Sequence, residues 1–426
     1  MRQTLFYIPQ EIAGVPLFGY GLVLAVWAAI GLLLIVQSIR RSGWGGEALG
    51  QIAMLVVSGG VIAYIIPAIM EPGGLPIRGY GVMLLLAVGS GVGLALYRAK
   101  QFGIDPEIII SLAMWLIVSG FIGARAFYVI EYWDKFAKPD PREFIAGVLN
   151  ITQGGLVVYG SMLAGGAAMV VFIYKHKLPG LALADLVAPC AVLGMAIGRV
   201  GCFLNGCCYG GACDLPWAVQ FPETSPAYLD QVQSGKLFLH GLRFQGEPDS
   251  APLIAEVEAG SPAESHSLRA GERIAAIGGV PVGSVDQAQQ LLLRLTGEGT
   301  KVSIEVADDP QPKTWTIVGP PPVSRPIHPV QIYSAIDALL LVLLLLAYTP
   351  FRQRDGEVTA LLLTLHPISR FLLEYIRVDE DNVFNTPFSI SQNISLGLLL
   401  GAVVLWLYLM RRPRGLAWPA EAVQTA

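Results

Sequence analysis

Charged side chains are scarce in this chain. Asp, Glu, Lys and Arg make up 14% of its 426 residues, whereas typical soluble domains contain about 25%. Hydrophobic residues reach 54%, and the mean hydropathy is +0.57. A long basic tail is also missing, and the net charge of −4 gives no indication of a nucleic-acid partner. The composition therefore excludes an ordinary water-soluble protein and indicates a membrane protein.

The first apolar segment lacks the small-residue cleavage site of a secretory signal peptide. It runs directly into Arg40 and Arg41, so we expect it to remain as a helix. Apolar stretches of about 20 residues are long enough to cross a bilayer. Nine such stretches lie near 16–38, 48–68, 79–97, 108–130, 156–174, 184–204, 331–349, 358–376 and 390–410. The sequence predicts an α-helical polytopic membrane protein of about nine spans.

Lysine and arginine in the short loops predict the orientation. They follow alternate spans, at Arg40, Arg41, Arg98, Lys100, Lys175, Lys177, Arg352, Arg354, Arg411, Arg412 and Arg414. These ends should be cytoplasmic. We therefore expect the N-terminus outside, the C-terminus inside and an odd number of spans.

The first two hairpins resemble each other. The segment from Gly14 to Gly21 recurs from Gly74 to Gly81, with the glycines, a proline and a tyrosine in common. A flexible entry motif with an interfacial tyrosine would give the same pattern. Further matches, of Gly43 and Glu47 with Gly103 and Glu107, favour duplication. Only the second copy has Arg78 and the intramembrane Arg125. We expect residues 1–70 to form an additional, structural transmembrane hairpin.

A soluble segment interrupts the membrane part between residues 217 and 328. Residues 253–257 and 302–306 alternate like strands, and Ser284 begins an amphipathic helix with a capping-box pattern. Over 238–320 the segment resembles a PDZ domain, a small α/β fold. Its expected peptide-binding loop is Gly241, Leu242, Arg243 and Phe244. The resemblance implies a C-terminal peptide ligand; the alternative is a scaffold that binds nothing.

Two apolar segments carry arginines that a simple membrane anchor does not need. Arg199 lies in a glycine-flanked helix end followed by Asn205, and an arginine at a bilayer centre costs about 2.5–3.5 kcal/mol on insertion scales. Arg370, Glu374 and Arg377 share one helical face, and His366 precedes Arg370 by one turn. Because arginine suits bidentate phosphate recognition, the pattern favours a phospholipid headgroup over packing or interfacial snorkelling.

Several motifs together resemble the prolipoprotein diacylglyceryl transferase family over roughly 70–235 and 325–412. They are Tyr80-Gly81, Gly123-Ala124-Arg125, Gly154-Gly155-Leu156, Gly198-Arg199-Val200-Gly201 with Phe203, Asn205 and Gly210, His328-Pro329 with Gln331 and Tyr333, Arg370-Phe371 with Glu374 and Arg377, and Gln392 with Ser395. The resemblance implies seven core helices in the bacterial inner membrane. It also implies transfer of the diacylglyceryl group of phosphatidylglycerol to the lipobox cysteine of prolipoprotein signal peptides. The product is a thioether and the leaving group is glycerol phosphate, with the active face outside the cytoplasm.

Chemistry and resemblance suggest the same roles. Arg199 and Arg370 would hold the phosphate and stabilise its charge, and Glu374 would orient Arg370. The other expected phospholipid-binding residues are Tyr80, Arg125, Gly155, Asn205, His328, Gln331 and Arg377. We expect no metal and no cofactor to be required.

The chain departs from the family at the expected base. Where many members have a histidine after Gly-Gly-Leu, this chain has Tyr159, and where they have a tyrosine one turn before the second arginine, it has His366. We hypothesise that the imidazole has changed helices and that His366 acts as the base, facing Tyr159. The alternative is that neither is a base and the arginines alone acidify the thiol.

The cysteines permit different interpretations. Cys202 and Cys207 replace Asn and Glu of other members. Cys202, Cys207, Cys208 and Cys213 could form a four-thiolate metal site, but they lack paired C-x-x-C spacing, adjacent cysteines rarely both bind a metal, and the expected compartment is oxidising. A disulfide from Cys207 or Cys208 to Cys213 is the preferred prediction.

The predicted organisation therefore has five segments. They are the 1–70 hairpin, the membrane core in 71–235 and 325–412, the extracytoplasmic insert 238–320 and a cytoplasmic tail 413–426. The alternative function is a catalytically inactive membrane scaffold that presents the insert.

Overall fold

The computed structural model describes residues 3–43, 46–71, 73–137, 140–150, 154–246, 251–295, 299–318, 322–378, 383 and 386–418. Two compact units are present. The amino-terminal unit comprises Thr4–Ala191, Pro350–Thr359 and Pro413–Ala426. The carboxy-terminal unit comprises Met1–Gln3, Val192–Thr349 and Ala360–Arg412. The five predicted segments follow sequence composition rather than this division and stay a prediction.

The amino-terminal unit is built mostly from long helices. Its strands are β1 (Thr4–Ile8), β2 (Glu11–Ile12), β3 (Val15–Pro16) and β4 (Leu75–Arg78). Its helices are α1 (Leu22–Ser42), α2 (Gly46–Gly60), continued by a π-helix (Val61–Ile65) into α3 (Ile66–Ala68), α4 (Gly79–Gln101), α5 (Pro106–Glu131), α6 (Trp133–Phe136), α7 (Pro141–Leu149), α8 (Val158–His176) and the first part of α9 (Gly180–Asn205). Strand β1 pairs antiparallel with β4, and β2 pairs with β3. The two repeated glycine-tyrosine segments thus each contain a short strand before a helix, and duplication stays a prediction.

Helices α5 and α8 approach so closely that their backbones are in contact. A Cβ at Gly123 would lie 2.5 Å from the carbonyl oxygen of Gly160, and a Cβ at Gly160 would lie 2.3 Å from that of Gly123. Small residues permit such close packing between membrane helices. The contact fixes Arg125 on α5 and Tyr159 on α8 within this unit.

The carboxy-terminal unit contains the insert and the remaining helices. Its strands are β5 (Leu242–Gln245), β6 (Leu253–Val257), β7 (Ile274–Ile277), β8 (Val280–Pro281), β9 (Lys301–Val306) and β10 (Asp309–Thr316). Its helices are the end of α9, α10 (Pro226–Gln233), α11 (Pro262–Ser265), α12 (Val285–Leu293), α13 (Val330–Tyr348), α14 (Glu357–Glu374, mostly in this unit) and α15 (Ile390–Arg411). A 3-10 turn, Thr349–Phe351, follows α13.

The insert is an α/β module whose buried core also includes Tyr228 and Val232 of α10. Its sheets have the order β10-β9-β7-β8 and β5-β6, and Ile254, Ile274 and Ile304 are fully buried between them and α12. The predicted strands coincide with β6 and β9. Ser284 caps α12 by accepting a hydrogen bond from the backbone of Gln287, while the Gln287 side chain accepts from Gly283. The PDZ resemblance of this module stays a prediction.

Eight helical segments of the described chain are long and apolar enough to cross a membrane. They are Leu22–Arg40, Gly50–Ala68, Gly79–Gln101, Pro106–Glu131, Val158–His176, Gly180–Asn205, Val330–Phe351 and Ile390–Arg411. They match eight of the nine predicted spans. The ninth, 358–376, corresponds to α14, a helix of 18 residues that contains Pro367, Arg370 and Glu374 and is not among the eight. Its crossing of the membrane stays a prediction.

Candidate functional site

Arg199 lies in the last two turns of α9, and its guanidinium group forms no hydrogen bond or ion pair with another described residue. The helix ends at Asn205 because Gly206 adopts a φ of +79°, which costs glycine little. The backbone amides of Gly206 and Cys207 donate hydrogen bonds to the carbonyl oxygen of Cys202, at 2.9 and 3.2 Å, and these bonds end the helix. Arg199 is half-buried. Among the described residues it has no hydrogen bond or ion pair with a protein group, so its charge is available to an anion.

Glu374 joins two arginines at the end of α14. Its carboxylate accepts a hydrogen bond from Arg370, and the Nε of Arg377 lies 3.7 Å from the same oxygen. The other carboxylate oxygen accepts from Ser389, the N-cap of α15, at 3.0 Å. Arg370 also donates to Ser391 at 2.8 Å. Glu374 is only 6% exposed, so α14, the turn after it and the start of α15 hold the arginines in place. Of the predicted helical face, Arg370 and Glu374 lie on α14, whereas Arg377 lies beyond the helix end.

His366 lies close to both phosphate-binding candidates. It is half-buried on α14, and its Nδ1 is buried without a hydrogen-bond partner in the described structure. Arg199, Arg370 and Asp337 all act on it electrostatically. Asp337 in turn accepts a hydrogen bond from Ser369 at 2.7 Å. Within the carboxy-terminal unit, the imidazole of His366 therefore lies near the guanidinium groups of Arg199 and Arg370.

The segment after α9 is fixed by backbone contacts with the start of α13 and the end of α14. The amide of Gly210 donates to the carbonyl of His328 at 3.0 Å, and the amide of Gly211 donates to that of Ile376 at 2.9 Å. A Cβ at Gly210 would lie 2.7 Å from the Cβ of His328, which explains the glycine. The fully buried Gln331 donates to the carbonyl of Cys207 at 2.7 Å. His328 and Gln331 thus shape this segment, and direct contact with lipid stays a prediction.

Arg125 holds the end of α7 and the loop before α8 in place through hydrogen bonds to their backbone. Its guanidinium donates to five backbone carbonyl oxygens, at 2.8–3.1 Å, which belong to Gly147, Val148, Asn150, Gly154 and Gly155. A Cβ at Gly155 would lie 2.5 Å from its Nη1. Arg125 also lines a cavity of about 350 Å³ together with Tyr128 and Lys135. This geometry assigns Arg125 and Gly155 to the shaping of the loop before α8, and a direct role in binding phospholipid stays a prediction.

Two predicted tyrosines also belong to the amino-terminal unit. Tyr159 is half-buried in the first turn of α8, and Tyr80, at the start of α4, is 42% exposed. The predicted pairing of Tyr159 with His366 joins the two units and stays a prediction. So does donation from Asn205 and Tyr80 to lipid oxygens.

Residues of the predicted peptide-binding loop already contact neighbouring parts of the chain. Leu242 is buried, and its amide donates to the carbonyl of Leu239 at 3.0 Å. Arg243 forms an ion pair with Glu256 and donates to the carbonyl of Gly235. A cavity of about 310 Å³ lies beside Gly241. Peptide binding by Gly241, Leu242, Arg243 and Phe244 stays a prediction.

The cysteines group differently from the preferred pairing. All five are thiols in the structure. The sulfur atoms of Cys202, Cys207 and Cys208 lie within 4.8 Å of one another, and Cys213 is buried outside this group. A disulfide to Cys213 stays a prediction. The sequence did not predict this group of three thiols, nor did it predict Asp337, Ser389 and Ser391 as part of the site. Gly206 could have indicated the thiol group, because a glycine between Cys202 and Cys207 permits the chain to reverse there.

Comparison with known proteins supports the same interpretation. The family model for prolipoprotein diacylglyceryl transferase matches residues 67–408. A phosphatidylglycerol–prolipoprotein diacylglyceryl transferase of Rhodopirellula baltica is 33% identical, over 95% of this chain and 88% of its own length. Proteins of the same name from Trichormus variabilis and Thermosynechococcus vestitus are 36% and 38% identical. Those two matches cover 37% and 41% of this chain and 54% and 63% of the relatives' lengths.

These relatives and the eight apolar helices indicate a multi-pass protein of the bacterial inner membrane. The relatedness extends over almost the whole chain, and the family match includes both arginine-bearing helices. The chain is a diacylglyceryl transferase and belongs to the prolipoprotein diacylglyceryl transferase family.

Proposed function

We propose that the chain transfers the diacylglyceryl group of phosphatidylglycerol to the lipobox cysteine of prolipoprotein signal peptides. Its relatives are named for this donor and this class of acceptor. The observation that carries the proposal is the half-buried Arg199, which has no protein partner among the described residues, near the Arg370–Glu374–Arg377 network. A membrane-buried cation without a counterion is costly unless it binds an anionic ligand.

The proposed reaction breaks the bond between the glyceryl carbon and the phosphate oxygen. The thiol sulfur attacks that carbon and forms a thioether, and the phosphate leaves with the bonding electrons as glycerol phosphate. Arg199 and Arg370 would stabilise the charge that grows on the phosphate oxygens. Glu374 would hold Arg370 in the orientation that bidentate binding requires.

The thiol must lose its proton before or during the attack. Its ordinary pKa of about 8.5 leaves it mostly protonated at neutral pH. His366 is our candidate for the base, because its buried Nδ1 has no hydrogen-bond partner in the described structure. Tyr159 and the field of the arginines are the alternatives.

The decisive experiment is a lipidation assay. Purified protein in phosphatidylglycerol vesicles should add the mass of a diacylglyceryl group to a lipobox peptide, and a cysteine-to-serine peptide should stay unmodified. Arg199→Lys keeps the charge but loses the bidentate geometry, so we expect turnover to fall about 100-fold. Arg294→Ala, an exposed arginine of the insert, is the matched control and should leave turnover unchanged. Absence of product with folded wild-type protein would favour the inactive-scaffold alternative.

The orientation and the insert are part of the proposal. The basic loops support an N-terminus outside the cytoplasm, a cytoplasmic C-terminus and an extracytoplasmic active face. The insert and α10 share one hydrophobic core, which supports a folded module. We propose that it binds an extended peptide end, such as that of a precursor, by strand addition.

A further inference from the structure

Three thiols meet where α9 ends, and the chain path explains why. Cys202 lies in the last turn of α9, and Gly206 reverses the chain behind it. Cys208 then adopts a φ of +58°, which is uncommon outside glycine. All three sulfur atoms are within 4.8 Å of one another. The backbone of Cys207 is held in place by the fully buried Gln331.

The spacing of these sulfurs suits a thiophilic ion. A tetrahedral zinc ion binds thiolate sulfur at about 2.3 Å, which separates neighbouring sulfurs by about 3.8 Å. Side-chain movements of about 1 Å from the 4.8 Å limit reach that spacing. No His, Asp or Glu of the described ranges joins the group. Three protein ligands with one open position are typical of catalytic rather than structural zinc sites.

The surrounding charges suit such a site. Three thiolates and one zinc ion carry a net charge of −1, and a fourth thiolate would make it −2. Arg377 and Arg199 act electrostatically on Cys208, so two guanidinium groups lie where this negative charge would form. Such neighbours orient metal ligands and tune their basicity.

We propose that Cys202, Cys207 and Cys208 bind a zinc ion, and that the open fourth position takes the thiol of the acceptor cysteine. This inference rests on the proposed function for its substrate, but not for its metal. A coordinated thiol is deprotonated outright. The site therefore supplies an activation of the nucleophile that requires no histidine at position 159.

The step balances without a redox partner. The acceptor thiol gives its proton to His366 or to water as its sulfur binds zinc. That sulfur forms the new bond to the glyceryl carbon while the carbon–oxygen bond breaks, and glycerol phosphate departs with the electron pair. Zinc stays divalent, and the thioether, no longer a thiolate, leaves the ion.

Metal content tests the site independently of activity. Full-length protein purified in detergent without chelator should contain about one zinc ion per chain. Cys202→Ser and Cys208→Ser should lose most of it, and the matched controls Cys190→Ser and Cys213→Ser should keep it. Wild-type protein without zinc, or with a disulfide from Cys207 or Cys208 to Cys213, would overturn the proposal. Zinc retained in both ligand variants would do the same.

Cobalt replacement tests the open position. Cobalt-loaded protein should show thiolate-to-metal absorption that changes when a lipobox peptide is added and stays constant with the cysteine-to-serine peptide. An unchanged spectrum would show that a fourth protein group fills the position, and it would overturn the activation step.

The pH profile of lipidation gives the kinetic readout. A thiol of pKa about 8.5 is about 3% thiolate at pH 7, so coordination can raise the reactive fraction up to about 30-fold. Zinc-loaded enzyme should reach its plateau below pH 8, whereas the Cys208→Ser variant should keep gaining rate up to about pH 8.5. Identical profiles would overturn the proposal. Failure of the proposed function itself looks different, because wild-type protein would then bind zinc and cobalt yet form no lipidated peptide.

Discussion

Glu374 is the residue on which the arginine network depends. It is buried, it contacts Arg370 on its own helix and Arg377 in the turn that follows the helix, and it accepts a hydrogen bond from Ser389 of the next helix. Removing one member of such a buried network leaves uncompensated charge. Glu374 acts through Arg370, so it is a positioning residue rather than a catalytic one.

We expect Glu374→Gln to reduce turnover about 10- to 100-fold, because a small displacement of a positioned group has effects of this size. Glu374→Asp, which keeps the charge, should recover part of the loss. Lipidation kinetics should place the defect in kcat more than in KM. An equal loss in both variants, together with a lowered thermal midpoint, would indicate a role in folding alone.

The choice of base is also decided by single residues. We expect His366→Phe to reduce turnover about 100-fold or more, in the range of general-base effects, and Tyr159→Phe to have little effect. The physical reason is the buried Nδ1 of His366, which has no hydrogen-bond partner among the described residues and lies within electrostatic reach of both arginines. Parallel rate measurements decide the question. Near-normal turnover by His366→Phe would reject the exchange of the imidazole between helices.

At the scale of helices and strands, regular spacing made the site partly predictable. Arg370 and Glu374 share a face of α14 because α-helical geometry brings positions i and i+4 together, and the structure confirms their contact. The helix ends at Glu374, so Arg377 reaches the same carboxylate from the turn that follows rather than from the predicted helical face. The strands β6 and β9 followed from alternation alone. Arg125 was different. Its partners are carbonyl oxygens at the end of α7 and in the loop before α8, and backbone acceptors leave no side-chain signal in a sequence. The thiol group depends on a chain reversal, which spacing rules for metal sites do not describe.

The insert is the element whose removal should change selection rather than chemistry. Its buried core includes Tyr228 and Val232 of α10 but no residue of the arginine network, which lies at and just after the end of α14 and at the start of α15. We expect replacement of residues 238–320 by a short Gly-Ser linker to change the ranking of lipobox peptides while the best peptide retains most of its rate. Competition among several peptides measures this. Complete loss of activity in a variant with an unchanged thermal midpoint would assign the insert to the reaction itself.

At the scale of the whole molecule, the number of spans determines where the termini lie. The eight apolar helices alone would place both ends on the same side, whereas a crossing by α14 gives nine spans and opposite sides. Arginines precede α14 at Arg352 and Arg354 and recur after α15 at Arg411 and Arg412. The positive-inside rule therefore predicts that both ends are cytoplasmic and that α14 and α15 form a hairpin that crosses twice.

We therefore expect α14 to cross the membrane despite its charges, because Glu374 pairs with Arg370 and Arg377 and lowers the cost of burying them. Reporters active only outside the cytoplasm, fused in turn after Gln353, after Val383 and at the C-terminus, test this directly. Only the fusion after Val383 should be active. A matched fluorescent reporter, which matures only in the cytoplasm, should give the reverse pattern. If the first two fusions report the same side, α14 does not cross, the chain has eight spans, and one of the two basic ends must lie outside against the positive-inside rule.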